Sequence, residues 1–163
     1  MKKTSKKIAS KLCALLLFLH KTSEEFETVG EEIKDNNVKM TMRGLAIETC
    51  QYEYELNSQL QSLRIKDINL PTSKSVEGVL KKNHLVVKAP TEKAILVMCR
   101  KSEASFNKAY RNILNEYFPY PDLKSMLVYQ LNGIKCAFMK MKLLNSISHE
   151  FNGFPQYLQS SSF

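Results

Sequence analysis

Ala94-Ile95-Leu96-Val97-Met98-Cys99-Arg100-Lys101-Ser102-Glu103-Ala104-Ser105-Phe106-Asn107-Lys108-Ala109-Tyr110 runs without a glycine or a proline, and its apolar residues return every three or four positions. Ile95, Met98, Ser102, Phe106, Ala109 and Ile113 fall on one stripe. That is the period of an amphipathic α-helix, not the alternation of a strand. The start is marked too. Pro90-Thr91 precedes the run, Thr91 is suited to cap the free amides of the first turn, and Glu92 sits where the helix dipole favours negative charge.

Outward from this helix the same period recurs. Pro119-Tyr120-Pro121 ends the run, and Pro121 suits the first position of a further helix predicted to reach about Ser148 through Leu127, Leu131, Ile134, Phe138, Met141 and Leu144. Upstream, Asp67-Ile68-Asn69-Leu70-Pro71-Thr72 reads as a loop, because proline removes a donor and restricts the residue before it. Between loop and helix, Ser73 to about Lys88 reads as a shorter amphipathic helix carrying Val76, Val79, Leu80 and Val87, with strand character confined to Val86-Val87. Before the loop, a helix ending near Leu63 carries Met42, Leu45, Thr49, Tyr52, Leu56 and Leu60. The polar turn Asp35-Asn36-Asn37 separates it from a first helix predicted over Lys6 to Lys34, and so tight a connection makes the two an antiparallel hairpin. The expected fold is all-α: a four-helix bundle of two antiparallel hairpins joined by a crossover that contains a short helix. Residues 1–5 form a basic leader, 6–148 the bundle, and 149–163 a loosely docked tail with Gly153 and Pro155.

Composition agrees with a single globular domain. The chain has 163 residues, of which 44% are apolar and 25% charged, and only five glycines and five prolines interrupt it. The net charge of +8 is concentrated at the start, in Lys2, Lys3, Lys6, Lys7 and Lys11. Such a cluster suits a solvated leader or an anionic membrane surface. No zinc knuckle or RNP-type aromatic strand accompanies it, so no specific nucleic acid is expected as a partner. The apolar run Leu12-Cys13-Ala14-Leu15-Leu16-Leu17-Phe18-Leu19 after these lysines has the order of a secretory signal. No A-x-A-like cleavage site follows it, and helical spacing continues through Thr22, Phe26, Val29 and Ile33, so a cytoplasmic protein is expected. Cys13, Cys50, Cys99 and Cys136 lie too far apart for a zinc or thioredoxin-type pair. One falls on each long helix, at equal intervals within each hairpin, which suggests an internal repeat and a packing role for each thiol.

Specific residues also carry a resemblance. The Ala94–Tyr110 segment, with its cysteine, the serine before Glu103 and the Ala109-Tyr110 pair two turns on, resembles the third helix of an uncharacterised bacterial ferritin-like family. Ser73-Lys74-Ser75-Val76-Glu77-Gly78-Val79-Leu80 looks like that family's crossover segment, and Glu48 with Glu55-Leu56 fits its second helix. The chain departs from the pattern in its apolar first helix, in Lys74 where glycine is usual, and in His84 where tryptophan is common. The resemblance implies a ferritin-like bundle, and it points to an interaction or stress-related module, possible as a homo-oligomer, rather than to an enzyme.

Ferritin-like chemistry has a stringent requirement. A di-iron or di-manganese site takes a glutamate from each of two helices and a Glu-x-x-His pair from each of the other two. Here Glu48 is followed by Thr49-Cys50-Gln51 and Glu103 by Ala104-Ser105-Phe106, and none of His20, His84 and His149 follows a glutamate by three. Two readings remain open. One is a reduced carboxylate site for iron or manganese built from Glu48, Glu103 and Glu25, with an oxidase-like or iron-handling role. The other is a buried polar network in which Glu48, Tyr52, Glu103, Tyr110 and Gln130 satisfy one another. The incomplete ligand set favours the network. No nucleophile elbow, P-loop or dinucleotide fingerprint is present, and no catalytic residue is assigned.

Overall fold

The computed structural model describes residues 2–62 and 90–153, with side-chain surroundings for 6–62 and 90–144. These residues form four α-helices and no strand: α1 (Lys2–Glu32), α2 (Asn36–Ser62), α3 (Glu92–Leu114) and α4 (Pro121–Gly153). The described chain is an all-α four-helix bundle. The expected loop at Asp67–Thr72, the short helix at Ser73–Lys88 with its His84, and residues 154–163 of the expected tail lie outside the described residues.

Short polar side chains set the helix starts. Asp35 Oδ1 accepts from the backbone amides of Asn37 at 2.9 Å and Val38 at 3.0 Å, which caps α2. Thr91 Oγ1 accepts from Ala94 N at 3.1 Å, and Glu92 occupies the first turn of α3. Pro121 opens α4 at the position where a missing N–H costs nothing. Two boundaries differ from the sequence reading. α1 begins at Lys2 rather than Lys6, because the lysines of the leader are good helix formers and no breaker separates them from the bundle. α4 continues past Ser148 and His149 to Gly153, the first residue after Gly133 with a strong cost in a helix.

α1 packs along α2, α3 along α4, α2 against α4, and α1 less extensively against α3. Side-chain pairs fix the directions. His20 meets Glu53 across α1 and α2. Phe18 meets Phe106, and Lys11 meets Asn112, across α1 and α3. Gln130 reaches Tyr52, and Gly133 faces Glu48, across α4 and α2. Tyr110 bonds Gln130, and Lys142 bonds Glu103, across α3 and α4. Every neighbouring pair is therefore antiparallel, and α2 and α3 at opposite corners run parallel. The His20–Glu53 register sets Ser62 level with Lys11, whereas the Lys11–Asn112 pairing sets Thr91 near the far end of α1. At the rise of a helix, about 30 Å of bundle length separates those two levels.

The core is nearly continuous. Leu12, Leu19, Met42, Leu45, Leu56, Leu123, Leu127 and Ile134 are all at most 1% exposed. At its centre Phe106 of α3 touches Phe18 and Phe26 of α1, Phe138 of α4 and its own neighbour Tyr110, with ring centroids 4.9 to 6.4 Å apart. The α3 stripe keeps Ile95, Phe106 and Ile113 and is rotated by about 40° from the sequence reading. Cys99 and Tyr110 are fully buried, while Met98, Ser102 and Ala109 are half-buried because they face the open seam with α1. That seam holds a groove of about 680 Å³ lined by Phe18, Thr22, Val97 and Met98 among others.

Candidate functional site

The polar centre of the bundle lies between α2, α3 and α4. Gln130, fully buried on α4, is its hub. Its carbonyl oxygen accepts from the Tyr110 hydroxyl at 2.9 Å, and its amide donates to the Tyr52 carbonyl at 3.3 Å and to Glu55 Oε2 at 3.1 Å. One turn along α2, the Tyr52 hydroxyl donates to Glu48 Oε1 at 2.5 Å. A glutamine suits the hub because it offers acceptor and donors at once without bringing a charge into the core. Burial raises the Tyr52 and Tyr110 hydroxyls far above the ordinary phenol range, and the Glu48 carboxylate pushes Tyr52 further the same way. Both stay protonated and act as donors.

Gly133 makes this arrangement possible. A β-carbon there would stand 2.2 Å from the Tyr52 hydroxyl oxygen and 3.2 Å from Glu48 Oε1. The hydroxyl and carboxylate occupy the space that any other residue of α4 would fill. Sequence reasoning passed over Gly133, although an isolated glycine inside an apolar helical stretch was the available signal. Glu55 was named in the sequence for the family pattern and not for the network, because its acceptor role depends on which carboxylate of α2 the hub faces.

The other sequence-named carboxylates sit elsewhere. Glu103 pairs with Lys142 of α4 outside the network. Glu25 lies beside Lys21 at 3.9 Å and lines the α1–α3 groove. Glu48, Glu103 and Glu25 thus face three different surroundings, and Glu48 and Glu103 are engaged by a hydroxyl and an ammonium. Among the described residues no group of three or more histidines, cysteines, aspartates or glutamates is placed to hold a metal ion. His20 shows why proximity alone is not enough. Its Nδ1 faces Glu53 at 3.0 Å and its Nε2 faces Glu24 at 3.1 Å, so the two carboxylates stand on opposite edges of the ring and do not converge. Among the described residues the donors do not come together as a two-metal centre would need.

The cysteines divide by position. Cys99 is buried beside the Glu103–Lys142 pair, and burial pushes its thiol up to about 11, with the ammonium of Lys142 acting against that rise. Cys50 and Cys136 are exposed, so packing accounts for Cys99 but not for them. The basic N-terminus is partly engaged as well. Lys7 and Lys11 reach Glu116 at 2.9 and 2.8 Å and hold its carboxyl at about 2, well below the usual range. No described helix is long and apolar enough to cross a membrane.

Fold and site together define a four-helix bundle closed around a glutamine-centred polar network. Comparison with protein families, curated proteins and solved structures finds no match to this chain.

Proposed function

We propose that this chain is a ferritin-like bundle that has no di-metal centre and works as a non-catalytic interaction or stress-related module. The observation that carries this reading is the network around Gln130. The interior position where a carboxylate centre would need free donors is instead filled by Tyr52, Tyr110 and Gln130, each hydrogen-bonded to a partner inside the bundle. Protonated phenols and an amide contribute rigidity and a unique helix register.

The ferritin-like connection is supported by helix direction. Parallel α2 and α3 suit a long connection between the two hairpins, which supports reading residues 63–89 as the crossover. Replacing them with a four-residue linker should abolish the native helical fold, since a short link suits only antiparallel neighbours. The functional reading is tested by elemental analysis of protein purified from metal-replete cells. Iron and manganese should each fall far below one per chain. Stoichiometric metal, lost on Glu48→Ala, would overturn the proposal in favour of an iron-handling carboxylate bundle.

A further inference from the structure

We infer that α2 and α4 together form a self-association face through which two copies of this chain pair. Along α2, Met40, Ile47 and Tyr54 recur at heptad spacing and are 70 to 71% exposed. Along α4, Tyr129, Cys136 and Leu143 recur at the same spacing, all exposed. The Tyr52–Gln130 and Glu48–Gly133 pairings set the register between these helices. It brings Tyr54 level with Tyr129, Ile47 with Cys136, and Met40 with Leu143.

Beside these rows Gly44, Gln51 and Ser58 on α2 and Ser125, Asn132 and Met139 on α4 are exposed and uncharged, and Arg43 and Lys140 are the exposed charges among them. A quarter of the chain is charged, so a wholly solvated face should show more charges than these two. The outward side of α3 does, with Lys93, Arg100, Lys101, Lys108 and Arg111 exposed. α2 and α4 therefore each carry a second apolar seam beside the one that faces the core.

Two arguments make a second copy the occupant of this face. Its six large apolar side chains expose on the order of 100–150 Å² each, roughly the 800 Å² that one partner contributes to a standard interface. Heptad seams accept helices crossing at about 20°, and a two-fold axis supplies the same seams from the partner. The inference deepens the interaction reading above. Its test reads oligomeric state and not metal content, so the two can fail separately.

The experiment is sedimentation velocity on the full chain over a range of micromolar concentrations. The wild type should dimerise, and Ile47→Lys and Leu143→Lys should each weaken the dimer at least tenfold. Leu17→Lys, an equally apolar change on exposed α1, should leave it intact. Ile47→Ala with Leu143→Ala guards against misfolding, because alanine is favourable at exposed helix positions, and this pair should also weaken the dimer while helicity is retained. A wild type that stays monomeric throughout, including because its own residues outside the described ones cover the seam, overturns the inference. So does a dimer that survives all of the α2 and α4 changes.

Discussion

Replacing Gly133 by alanine sets two effects of known size against each other. Glycine inside a helix costs about 1 kcal/mol relative to alanine, so propensity alone says that Gly133→Ala stabilises α4. The surroundings say the opposite. The new β-carbon would stand 2.2 Å from the Tyr52 hydroxyl oxygen. Van der Waals separation requires the oxygen to withdraw by about 1 Å. Tyr52 is only 4% exposed, so its ring has no free space to swing into. Either the hydroxyl gives up its bond to the Glu48 carboxylate, a loss of about 1.5–3 kcal/mol, or the helices shift apart at about 1–3 kcal/mol. After the propensity gain, losing that bond leaves a net destabilisation of about 0.5–2 kcal/mol. Urea unfolding followed by the helical circular dichroism signal reads this as a midpoint lowered by about 1 M. Two comparisons isolate the cause. Gly44 is exposed with no atom within 4 Å of its would-be β-carbon, so Gly44→Ala should raise stability by about 0.5–1 kcal/mol. Tyr52→Phe deletes the obstructing oxygen and leaves the ring carbon at an ordinary 3.4 Å. On that background Gly133→Ala should become neutral or stabilising, a coupling of about 2 kcal/mol. A Gly133→Ala protein as stable as the wild type, or one destabilised equally with and without the Tyr52 hydroxyl, refutes the reasoning.

Three further outcomes follow from the same geometry. Gln130→Leu leaves the Tyr110 hydroxyl without its buried acceptor and should cost about 1–3 kcal/mol in urea unfolding, most of it recovered when Tyr110→Phe is added. Phe106→Ala empties the centre of the aromatic cluster, where nothing can collapse into the gap without moving α1, and should lower stability by about 3–5 kcal/mol, read as a fall in melting temperature. Glu116 titrates at about 2 in the fold against 4.5 for the free side chain, so its contribution is present above pH 4.5 and is lost as pH falls toward 2. Glu116→Gln should therefore be slightly less stable than the wild type above pH 4.5 and flatten the acid limb, the two converging as pH falls toward 2; the difference stays small because the carboxylate is exposed, and an acid limb unchanged from the wild type would contradict the pairing.

What the sequence determined by itself was the helices and their inner faces. Met42, Leu45, Thr49, Tyr52, Leu56 and Leu60 of α2 are all buried, as their spacing predicts, because periodicity and caps are local properties that a helix expresses wherever it packs. The missing Glu-x-x-His pairs were legible for the same reason, being a matter of residues on one helix. Contacts between helices were not. Spacing placed Glu48, Glu103 and Gln130 near the inward stripes, but the choice of partner depends on rotation and register between helices, which few residues of either helix encode alone. Tertiary structure therefore joined Gln130 to Glu55, sent Glu103 to Lys142 and gave Gly133 its role as the space for the Tyr52 hydroxyl. It also turned the α3 stripe by about 40°, since the α1 seam is looser than the α4 seam. The outer heptads of α2 and α4 stand between the two cases. Their residues were visible along the chain throughout, but only antiparallel packing of α2 on α4 brings them level on one face.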